Sequence, residues 1–453
     1  MAAVQKLSKF QLIIFSLGQM GWSLSLFCIS SLLTYFYLPP VAADGNSLFA
    51  THIYQGAVVG VLTLIGVINF GSRIFDAITD PLLASWSDRS KASMGRRNSF
   101  LFFSSVPVAV LGSLCFLPPI ATESHWNFVS LLVCTLLYYF AITAYCTPYN
   151  ALISEYGHTA KERLNMATTV SVTWALGFML GNQVYLFQGL LQGIFPTWNA
   201  KECFQIVVIA FQLLAMVLMI LPSILIKESK HARSTVSEEK LLDSVKMTFS
   251  NKNFRFFLGF DFCYWLSVSF IQLGISFYII SLLGQPAEWV SHHMTALFLL
   301  SFVFYYPVNV LSTKLGKMRV IKIAFIIFAL CFTCISLLGL LPIAKMAQSV
   351  LIVVLSAIPM AVFGILPTAL VADMADGDLQ ESGVSRAGMY FATRTFTMKL
   401  GISVANLLFP SLLLLGRGGE SSLGIRLSAV LALIFCVMGL MLSRYCQENL
   451  QTN

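Results

Sequence analysis

Charged residues are scarce in this chain. They make up 11% of its 453 residues, whereas hydrophobic residues make up 57%. Soluble globular domains carry about 25% charged residues, so this composition excludes an ordinary soluble protein. Apolar runs of more than about 18 residues, each long enough to cross a bilayer, recur along the whole sequence. The sequence therefore predicts an all-α polytopic membrane protein.

Histidine is also scarce, with six in the whole chain. All six lie in loops or at the ends of predicted spans, and no buried serine–histidine or histidine–carboxylate pairing is visible. This absence argues against an intramembrane enzyme or metal centre. The ten cysteines lie almost entirely within predicted spans, and Cys331 with Cys334 predicts packing rather than metal binding. We expect no catalytic residues and no cofactor beyond a coupling cation.

Twelve apolar runs can be recognised. They cover approximately residues 10–38, 53–87, 98–119, 128–153, 166–190, 203–226, 256–283, 289–312, 321–341, 349–371, 389–415 and 424–443. The only long polar insertion between spans, residues 227–255, separates six runs from six. We therefore predict an N-terminal half at 1–226, a cytoplasmic central loop at 227–255 and a C-terminal half at 256–453.

The basic residues predict the orientation. With a cytoplasmic N-terminus, 21 lysines and arginines of the loops fall inside and four fall outside. Cytoplasmic loops carry the excess of basic residues, so both termini are expected in the cytoplasm of a multi-pass protein of the inner or plasma membrane. The net charge of +8 is then a topology signal. We expect the lipid bilayer as a partner, no nucleic acid, and a monomer.

Three charged residues interrupt the second predicted span. Arg73, Asp76 and Asp80 are spaced by three and four residues, which places their side chains on one face of a helix. Each charge near the bilayer centre costs roughly 2.5–3.5 kcal/mol on the mildest insertion scale. Intramembrane charges mark functional sites by default, and ion or proton coupling is the usual function. The sequence therefore predicts a secondary transporter.

The two carboxylates predict a cation site. At about 6 Å and an effective dielectric of 20 they repel by roughly 3 kcal/mol. Both stay ionised only beside a cation or a basic side chain; otherwise one takes up a proton. The hydroxyl of Thr79 adds an oxygen ligand suited to a hard cation such as Na⁺. The alternative is that Arg73 and the aspartates form a closed salt bridge that merely joins helices.

Two stretches resemble known motifs. Residues 88–89 (Asp-Arg) with 95–97 (Gly-Arg-Arg) resemble the loop motif of the major facilitator superfamily. Residues 73–81 resemble the signature of one branch, the glycoside–pentoside–hexuronide:cation symporters, and residues 372–388 and Lys399 fit the same family. The resemblance implies the major facilitator fold, with twelve transmembrane helices in two six-helix halves. It also implies alternating access around a site between the halves.

The resemblance assigns the cation site more fully. In the family's melibiose carrier, two aspartates align with Asp76 and Asp80, an amide with Thr79 and a threonine with Thr143. It therefore implies cation ligation by these four residues, with Asp76 and Asp80 binding the metal if the cation is Na⁺. The family also places a lysine like Lys399 near this site. Neither the residues nor the resemblance separates Na⁺ from H⁺ coupling.

The resemblance is weaker at the solute site. The melibiose carrier has aspartates at the places of Met20 and Cys146, a tryptophan at Asn150, and an arginine aligned approximately with Ser171. Because all four differ, the family name does not imply galactoside transport. The residues that we assign to solute binding are Met20, Cys146, Tyr149, Asn150, Arg394, Thr395 and Lys399. Asp261 lies only six residues after Arg255, so we expect it at the cytoplasmic interface.

Charged loops predict a cytoplasmic gate. The loop after the tenth span is acidic (Asp373, Asp376, Asp378, Glu381), whereas the other predicted cytoplasmic loops are strongly basic. Opposite charges on the two halves would clamp them shut, although a solvated loop without a gating role is the alternative. The gating residues that we predict are Asp88, Arg89, Arg96, Arg97, Asp373, Asp376 and Arg386.

The sequence leaves several functions open. The leading hypothesis is a cation-coupled symporter of an organic solute, such as a glycoside, a uronide or a related sugar derivative. A vertebrate branch of the family suggests a Na⁺-coupled lysophospholipid transporter instead. A non-transporting membrane scaffold or receptor is the alternative of another class. The loss of two acids at Met20 and Cys146 favours an anionic or zwitterionic solute, and a neutral glycoside is the equal alternative.

Overall fold

The computed structural model describes residues 5–41, 47–232, 251–382, 387–419 and 421–446. The helices of the first part are α1 (Lys9–Phe27), α2 (Leu33–Tyr37), α3 (Leu64–Arg89), α4 (Asn98–Leu114), α5 (His125–Tyr156), α6 (Ala160–Gly181), α7 (Val184–Ile194), α8 (Ala200–Leu225) and α9 (Glu228–His231). A π-helical turn, Cys28–Leu32, joins α1 to α2. An antiparallel hairpin, β1 (Ala57–Val59) and β2 (Leu62–Thr63), precedes α3.

The later helices repeat this plan. They are α10 (Lys252–Phe277), α11 (Glu288–Leu315), α12 (Lys317–Ser336), α13 (Lys345–Ser382), α14 (Ala387–Leu412) and α15 (Leu423–Tyr445). A π-helical turn, Tyr278–Leu282, follows α10 just as Cys28–Leu32 follows α1. A 3₁₀ turn, Leu413–Leu415, ends the span that begins with α14.

The chain divides into two compact units. The first comprises Met1–Pro39, Ser47–Gly56 and Val67–Ser237, and the second comprises Pro40–Asn46, Ala57–Gly66 and Glu238–Asn453. The hairpin and the first residues of α3 therefore belong to the second unit. Thr63 of the hairpin donates its backbone N–H to the hydroxyl of Ser411 in α14, at 3.2 Å. The predicted boundaries of the halves stay a prediction.

The polytopic helical fold is confirmed. Among the described residues, ten helical segments are long and apolar enough to cross a membrane. The apolar α4 has 17 residues and is slightly shorter than those segments. The 26 residues of α3 include Arg73, Asp76 and Asp80, which lower its mean hydropathy. The count of twelve spans stays a prediction. The two predicted spans outside the ten correspond to α4, which is short, and α3, which carries charges.

The second span is shorter than predicted. The sequence predicted a run over residues 53–87, but the helix begins at Leu64. Residues 57–63 form the hairpin instead, with Gly60 at φ 58° between its strands. Positive φ is easy for glycine and costly for other residues, so Gly60 permits this tight turn. Hydropathy alone does not distinguish a short apolar hairpin from the first turns of a helix.

Helix α1 is central to the packing of the first unit. It packs against α6 and α8, while α4 packs against α5 and α8. A Cβ at Gly21 would lie 2.6 Å from the carbonyl oxygen of Ala215, so the glycine allows the backbones of α1 and α8 to approach closely. Ser8 caps α1 in a capping box with Gln11. These contacts hold α5, which carries part of the candidate site.

Helix α10 has the corresponding role in the second unit. It packs against α14 and α15, and α13 packs against α11 and α12. The Asn251 side chain accepts from the backbone N–H of Phe254 and so caps α10. The ring of Tyr264 on α10 stacks on that of Phe363 on α13, with centroids 3.9 Å apart. This packing brings α10, α13 and α14 together around a buried acid.

Candidate functional site

Two aspartates of α3 accept hydrogen bonds from two threonines of α5. Thr143 donates its hydroxyl to Oδ1 of Asp76, and Thr147 donates to Oδ1 of Asp80 at 3.4 Å. The two aspartates are four residues apart on α3, and the two threonines are four residues apart on α5. The second bond therefore lies about one helical turn from the first along both helices. Asp76 is 3% exposed and Thr143 is fully buried, whereas Asp80 is half-buried. We call these four residues the acid–threonine ladder.

Thr147 was missed by the sequence reasoning, although its spacing held a signal. Thr143 and Thr147 repeat the four-residue interval of Asp76 and Asp80 on a second predicted helix. Thr79 differs from both, because its hydroxyl donates to the backbone oxygen of Asp76 at 3.0 Å. A donating hydroxyl oxygen keeps lone pairs. The assignment of these residues to cation ligation stays a prediction.

Arg73 lies on the same helix but does not close a salt bridge within the described residues. Its guanidinium carbon lies 5.0 Å from the ring centroid of Tyr139, a cation–π contact. The side chain is buried at 7% exposure, and Nε has no hydrogen-bond partner among the described residues. The alternative of a salt bridge between Arg73 and the aspartates is therefore wrong in this conformation.

A different acid is paired with an arginine in the second unit. Asp261 of α10 is 0% exposed, and its Oδ2 accepts from Nε of Arg394 on α14 at 3.3 Å. Nη1 of Arg394 donates to the hydroxyl of Thr368 on α13 at 3.0 Å. The sequence placed Asp261 at the cytoplasmic interface because it lies only six residues after Arg255. It gave no sign of the partner, because Arg394 lies 133 residues further along the chain.

The predicted solute residues of the first unit lie in different surroundings. Tyr149 is fully buried, donates its hydroxyl to the backbone oxygen of Phe15 at 2.7 Å and stacks on that ring at 4.4 Å. Cys146 is buried, Met20 is half-buried and Asn150 is exposed. The packing of Tyr149 accounts for its burial without a solute, and all four assignments stay predictions.

The remaining predicted solute residues lie on α14. Arg394 pairs with Asp261, as described above. Thr395 is exposed and donates its hydroxyl to the backbone oxygen of Phe391 at 3.0 Å, within its own helix. Lys399 is half-buried, and its backbone oxygen accepts from the hydroxyl of Ser403 at 2.7 Å. Their roles in binding a solute stay predictions.

The loop after α3 forms a charged cluster in the first unit. Glu155, at the end of α5, pairs with Arg96 at 2.6 Å and with Arg97 at 2.9 Å. Glu228 accepts from the backbone N–H groups of Arg97 and Asn98, at 2.8 and 2.9 Å, and so caps α4. Sequence reasoning missed both glutamates, because neither lies in the basic loop that they neutralise.

Gly95 allows this cluster to form. Its φ is 119°, and a Cβ at this position would lie 2.6 Å from Oε2 of Glu228. A cavity of about 330 Å³ adjoins the glycine; it is lined by Gly95, Arg96, Glu155, Glu228, Ser229 and Ala232. Two of the arginines predicted to gate the halves, Arg96 and Arg97, thus have an acidic partner inside their own unit.

The second unit also contains an internal charge pair. Lys317, at the start of α12, forms a salt bridge with Asp373 of α13. Arg89 and Asp376 are exposed. Asp88 lies in the last turn of α3, and only its backbone is described. Arg386 lies outside the described residues. The predicted gate between the halves stays a prediction.

Comparison with known proteins gives a family match over most of the chain. The family described as MFS/sugar transport protein matches residues 14–443. An isoprimeverose transporter of Lactiplantibacillus pentosus is 23% identical over 260 residues, 56% of this chain and 49% of that protein. An uncharacterised symporter, YnaJ, of Bacillus subtilis strain 168 is 24% identical over 256 residues, again 56% and 49%. The chain spans about half the length of these curated relatives.

Solved structures agree in fold. The nucleoside transporter NupG superposes with a TM-score of 0.66 at 16% identity, over 96% of this chain and 97% of that one. A bacterial homologue of the human lysosomal transporter Spinster, inward-facing and unoccupied, superposes with a TM-score of 0.64 at 13% identity, over 97% and 98%. At such low identity the likeness concerns the fold alone.

Proposed function

Because the chain belongs to the MFS/sugar transport protein family, a family of membrane transporters rather than enzymes, we propose that it is a cation-coupled symporter. The proposed cargo is an organic solute of the glycoside or uronide kind, carried by alternating access. Two weak relatives support this choice, since one is named a symporter and the other an isoprimeverose transporter. The branch we propose is the glycoside–pentoside–hexuronide:cation symporters, whose signature residues 73–81 resemble.

The acid–threonine ladder carries the proposal. It places two carboxylates one helical turn apart on α3 and orients each with a hydroxyl from α5. Hydroxyl donors hold a carboxylate in position without adding charge, so the oxygens stay suited to a cation. Repulsion between Asp76 and Asp80 falls when a cation or a proton binds between them. Occupancy of this site would thereby be linked to the conformation of α3 and α5.

Sodium is the cation that this oxygen set suits best. The ladder offers carboxylate and hydroxyl oxygens, which are the ligands of hard cations. A proton would instead reside on one carboxylate. We treat Na⁺ as cargo at Asp76, Asp80, Thr79 and Thr143, and H⁺ as the alternative that the experiment below separates from it.

A non-transporting scaffold is disfavoured by the charges themselves. Arg73 and Asp76 are both almost fully buried on a helix of a membrane protein. Burying such charges costs several kcal/mol, and a scaffold could replace them with apolar residues. Their presence supports a function that uses charge. The plasma-membrane location, the cytoplasmic termini, the monomeric state and the gate formed by the loop charges belong to the same proposal.

A lysophospholipid is the second candidate solute. At the positions where a sugar carrier of the family has acids, this chain has the half-buried Met20 and the buried Cys146. Apolar side chains there suit an acyl chain better than hydroxyl groups, because hydroxyls buried without partners are costly. Na⁺ coupling at the acid–threonine ladder would be common to both solutes.

Thermal stability measured in NaCl and in choline chloride tests the coupling without knowledge of the solute. Na⁺ that binds only the folded protein stabilises it by about 2.7 kcal/mol at one hundred times Kd. We expect a higher Tm for the purified protein in NaCl, and loss of that increase in Asp76→Asn and in Asp80→Asn. Glu123→Gln is the matched control, since it removes an exposed carboxylate from the loop before α5.

The outcomes separate the possibilities. A Na⁺ effect that survives in both asparagine variants contradicts the site. If protons are coupled, Na⁺ has no effect, and mild acidification stabilises the wild type but neither variant. If neither Na⁺ nor acidification changes the Tm in a way that depends on Asp76 or Asp80, the proposal of cation coupling fails.

A further inference from the structure

The second unit contains a buried acid–base pair that the cation site does not use. Asp261 and Arg394 lie on α10 and α14, with Thr368 of α13 completing the group. All three helices belong to candidate membrane spans, where ionisable residues mark functional sites by default. The pair is therefore a candidate for contact with the transported solute.

We propose that Arg394 is a solute-contacting residue and that Asp261 is the positioning residue that makes it selective for neutral, hydroxyl-bearing solutes. This inference rests on the proposed symport function and names the charge class of its cargo. It decides between the anionic and neutral solutes that the sequence left equally open.

The guanidinium is held from one side. Nε bonds to Asp261 and Nη1 bonds to Thr368, and the structure gives Nη2 no bond within the described residues. The Arg394 side chain keeps 14% exposure while Asp261 has none, so the arginine is the accessible member of the pair. Thr368 is itself exposed. A planar guanidinium fixed at two nitrogens presents its third to a ligand at little cost in side-chain entropy.

The charge of Asp261 determines what this guanidinium prefers. A lone arginine favours carboxylates and phosphates, which it binds with two parallel hydrogen bonds. Here Nε already bonds to a carboxylate, so the pair has no net charge and offers a polar donor rather than a positive field. Neutral acceptors, such as ring and hydroxyl oxygens, fit such a donor. A second anion beside Asp261 would be repelled.

The surroundings of Asp261 supply unused hydrogen-bonding capacity of both kinds. Trp265 lies one helical turn further along α10, and its side chain is a neighbour of the same carboxylate. Yet neither Oδ1 of Asp261 nor Nε1 of Trp265 completes a hydrogen bond within the described residues. Both atoms are inaccessible, so Arg394 is the member of this group that a solute can contact.

Ligand-induced thermal shifts at constant NaCl test the assignment. The neutral probes are methyl β-D-glucoside, methyl β-D-xyloside and methyl α-D-galactoside, and the anionic probes are sodium glucuronate and sodium galacturonate. We expect neutral probes to stabilise the wild type. Arg394→Gln should bind them about tenfold to hundredfold more weakly, the loss expected for a hydrogen bond to a charged donor.

Asp261→Asn gives the decisive readout. It leaves Arg394 without its counter-charge, so the preference should shift towards the uronates by about tenfold or more. A pair that only joins helices would change stability but not this preference. The double variant Asp261→Asn with Arg394→Gln should lose the shift and bind both classes weakly. Glu123→Gln should behave as the wild type.

Each outcome decides the proposal. If no neutral probe stabilises the wild type, or if Asp261→Asn keeps the wild-type preference, the proposal is overturned. The increase in Tm with Na⁺ is recorded in the same samples and depends on Asp76 and Asp80. Its retention in the Asp261 and Arg394 variants shows that they are folded, and its absence from the wild type counts against the coupling rather than against this pair.

Discussion

Asp76 and Asp80 of the first unit and Asp261 of the second unit accept hydrogen bonds from different kinds of donor. In the first unit Asp76 and Asp80 receive hydrogen bonds from threonine hydroxyls. In the second unit Asp261 is bonded to the guanidinium of Arg394. A hydroxyl orients a carboxylate without changing the charge of the group, whereas a guanidinium neutralises it. Under the two proposals above, the same side-chain type serves a cation in the first unit and a neutral contact in the second.

This contrast suggests a division of labour. The proposed symporter must bind two unlike cargoes, and two compact units allow each cargo its own chemistry. The first unit offers oxygen ligands on α3 and α5, and the second offers a fixed donor on α14. The substitutions below test the contrast by removing one partner at a time.

Breaking the pair in the second unit should have the largest effect on stability. Arg394→Gln leaves Asp261 as a buried acid without its cation, and loss of one partner of a buried pair costs about 3–5 kcal/mol. Asp261→Asn with Arg394→Gln removes both charges and should recover most of that loss. Thermal unfolding of both variants and of Asp261→Asn in one detergent measures the coupling.

Additive effects in that cycle would contradict the close pairing. A wild-type Tm for Arg394→Gln would do the same, unless Asp261 takes up a proton in the variant. Repeating the measurement at pH 6 and pH 8 detects such a proton, because the cost of the variant would then increase with pH. The double variant has neither charge and serves as the matched control at both pH values.

Removing one hydroxyl from the ladder should have an intermediate effect. Thr143→Val keeps the shape of the side chain but removes the donor to Asp76, and a hydrogen bond to a charged group contributes about 1.5–3 kcal/mol. The increase in Tm with Na⁺ should shrink accordingly. Thr147→Val should lose less, because the bond from Thr147 to Asp80 is long at 3.4 Å and Asp80 is half-buried.

Serine provides the control for the ladder. Thr143→Ser and Thr147→Ser keep the hydroxyls and should retain most of the response to Na⁺. A response in Thr143→Val equal to that of the wild type would show that the hydroxyl has no part in the cation site. A larger loss for Thr147→Val than for Thr143→Val would reverse the order that the two geometries predict.

Local features of the site could be predicted from the sequence. Charges spaced by three and four residues within an apolar run share a helical face, so spacing alone predicts the candidate site at Arg73, Asp76 and Asp80. Thr143 came from the family resemblance rather than from spacing. Thr147 was missed, although both kinds of information together point to it, because it repeats the interval on the second helix.

Long-range partners could not be predicted in this way. Asp261 and Arg394 are separated by 133 residues, and Arg97 and Glu228 by 131. Nothing in the composition near Asp261 distinguishes an acid at an interface from one that meets an arginine on another helix. Pairing between distant residues is set by helix packing, which apolar periodicity constrains only loosely.

A charge pair with an exposed lysine and a half-buried glutamate contrasts with the buried pair. Lys6 contacts Glu162 at 2.9 Å, and the lysine side chain is 70% exposed. A hydrogen bond from Lys6, together with backbone N–H donors from His158 and Thr159, lowers the pKa of the Glu162 carboxyl. Water and salt screen such a pair, and its side chains lose entropy when they associate.

Lys6→Ala should therefore have the smallest effect of all. We expect almost no change in Tm near neutral pH, because exposed pairs contribute little. A carboxyl whose pKa is lowered by folding stabilises the folded state above its unfolded-state pKa of about 4.3, and this contribution disappears as the pH falls through the folded value. Any difference between Lys6→Ala and the wild type should thus be present at pH 7 and vanish towards pH 3. A Tm loss at pH 7 as large as that of Arg394→Gln would show that burial does not separate the two pairs.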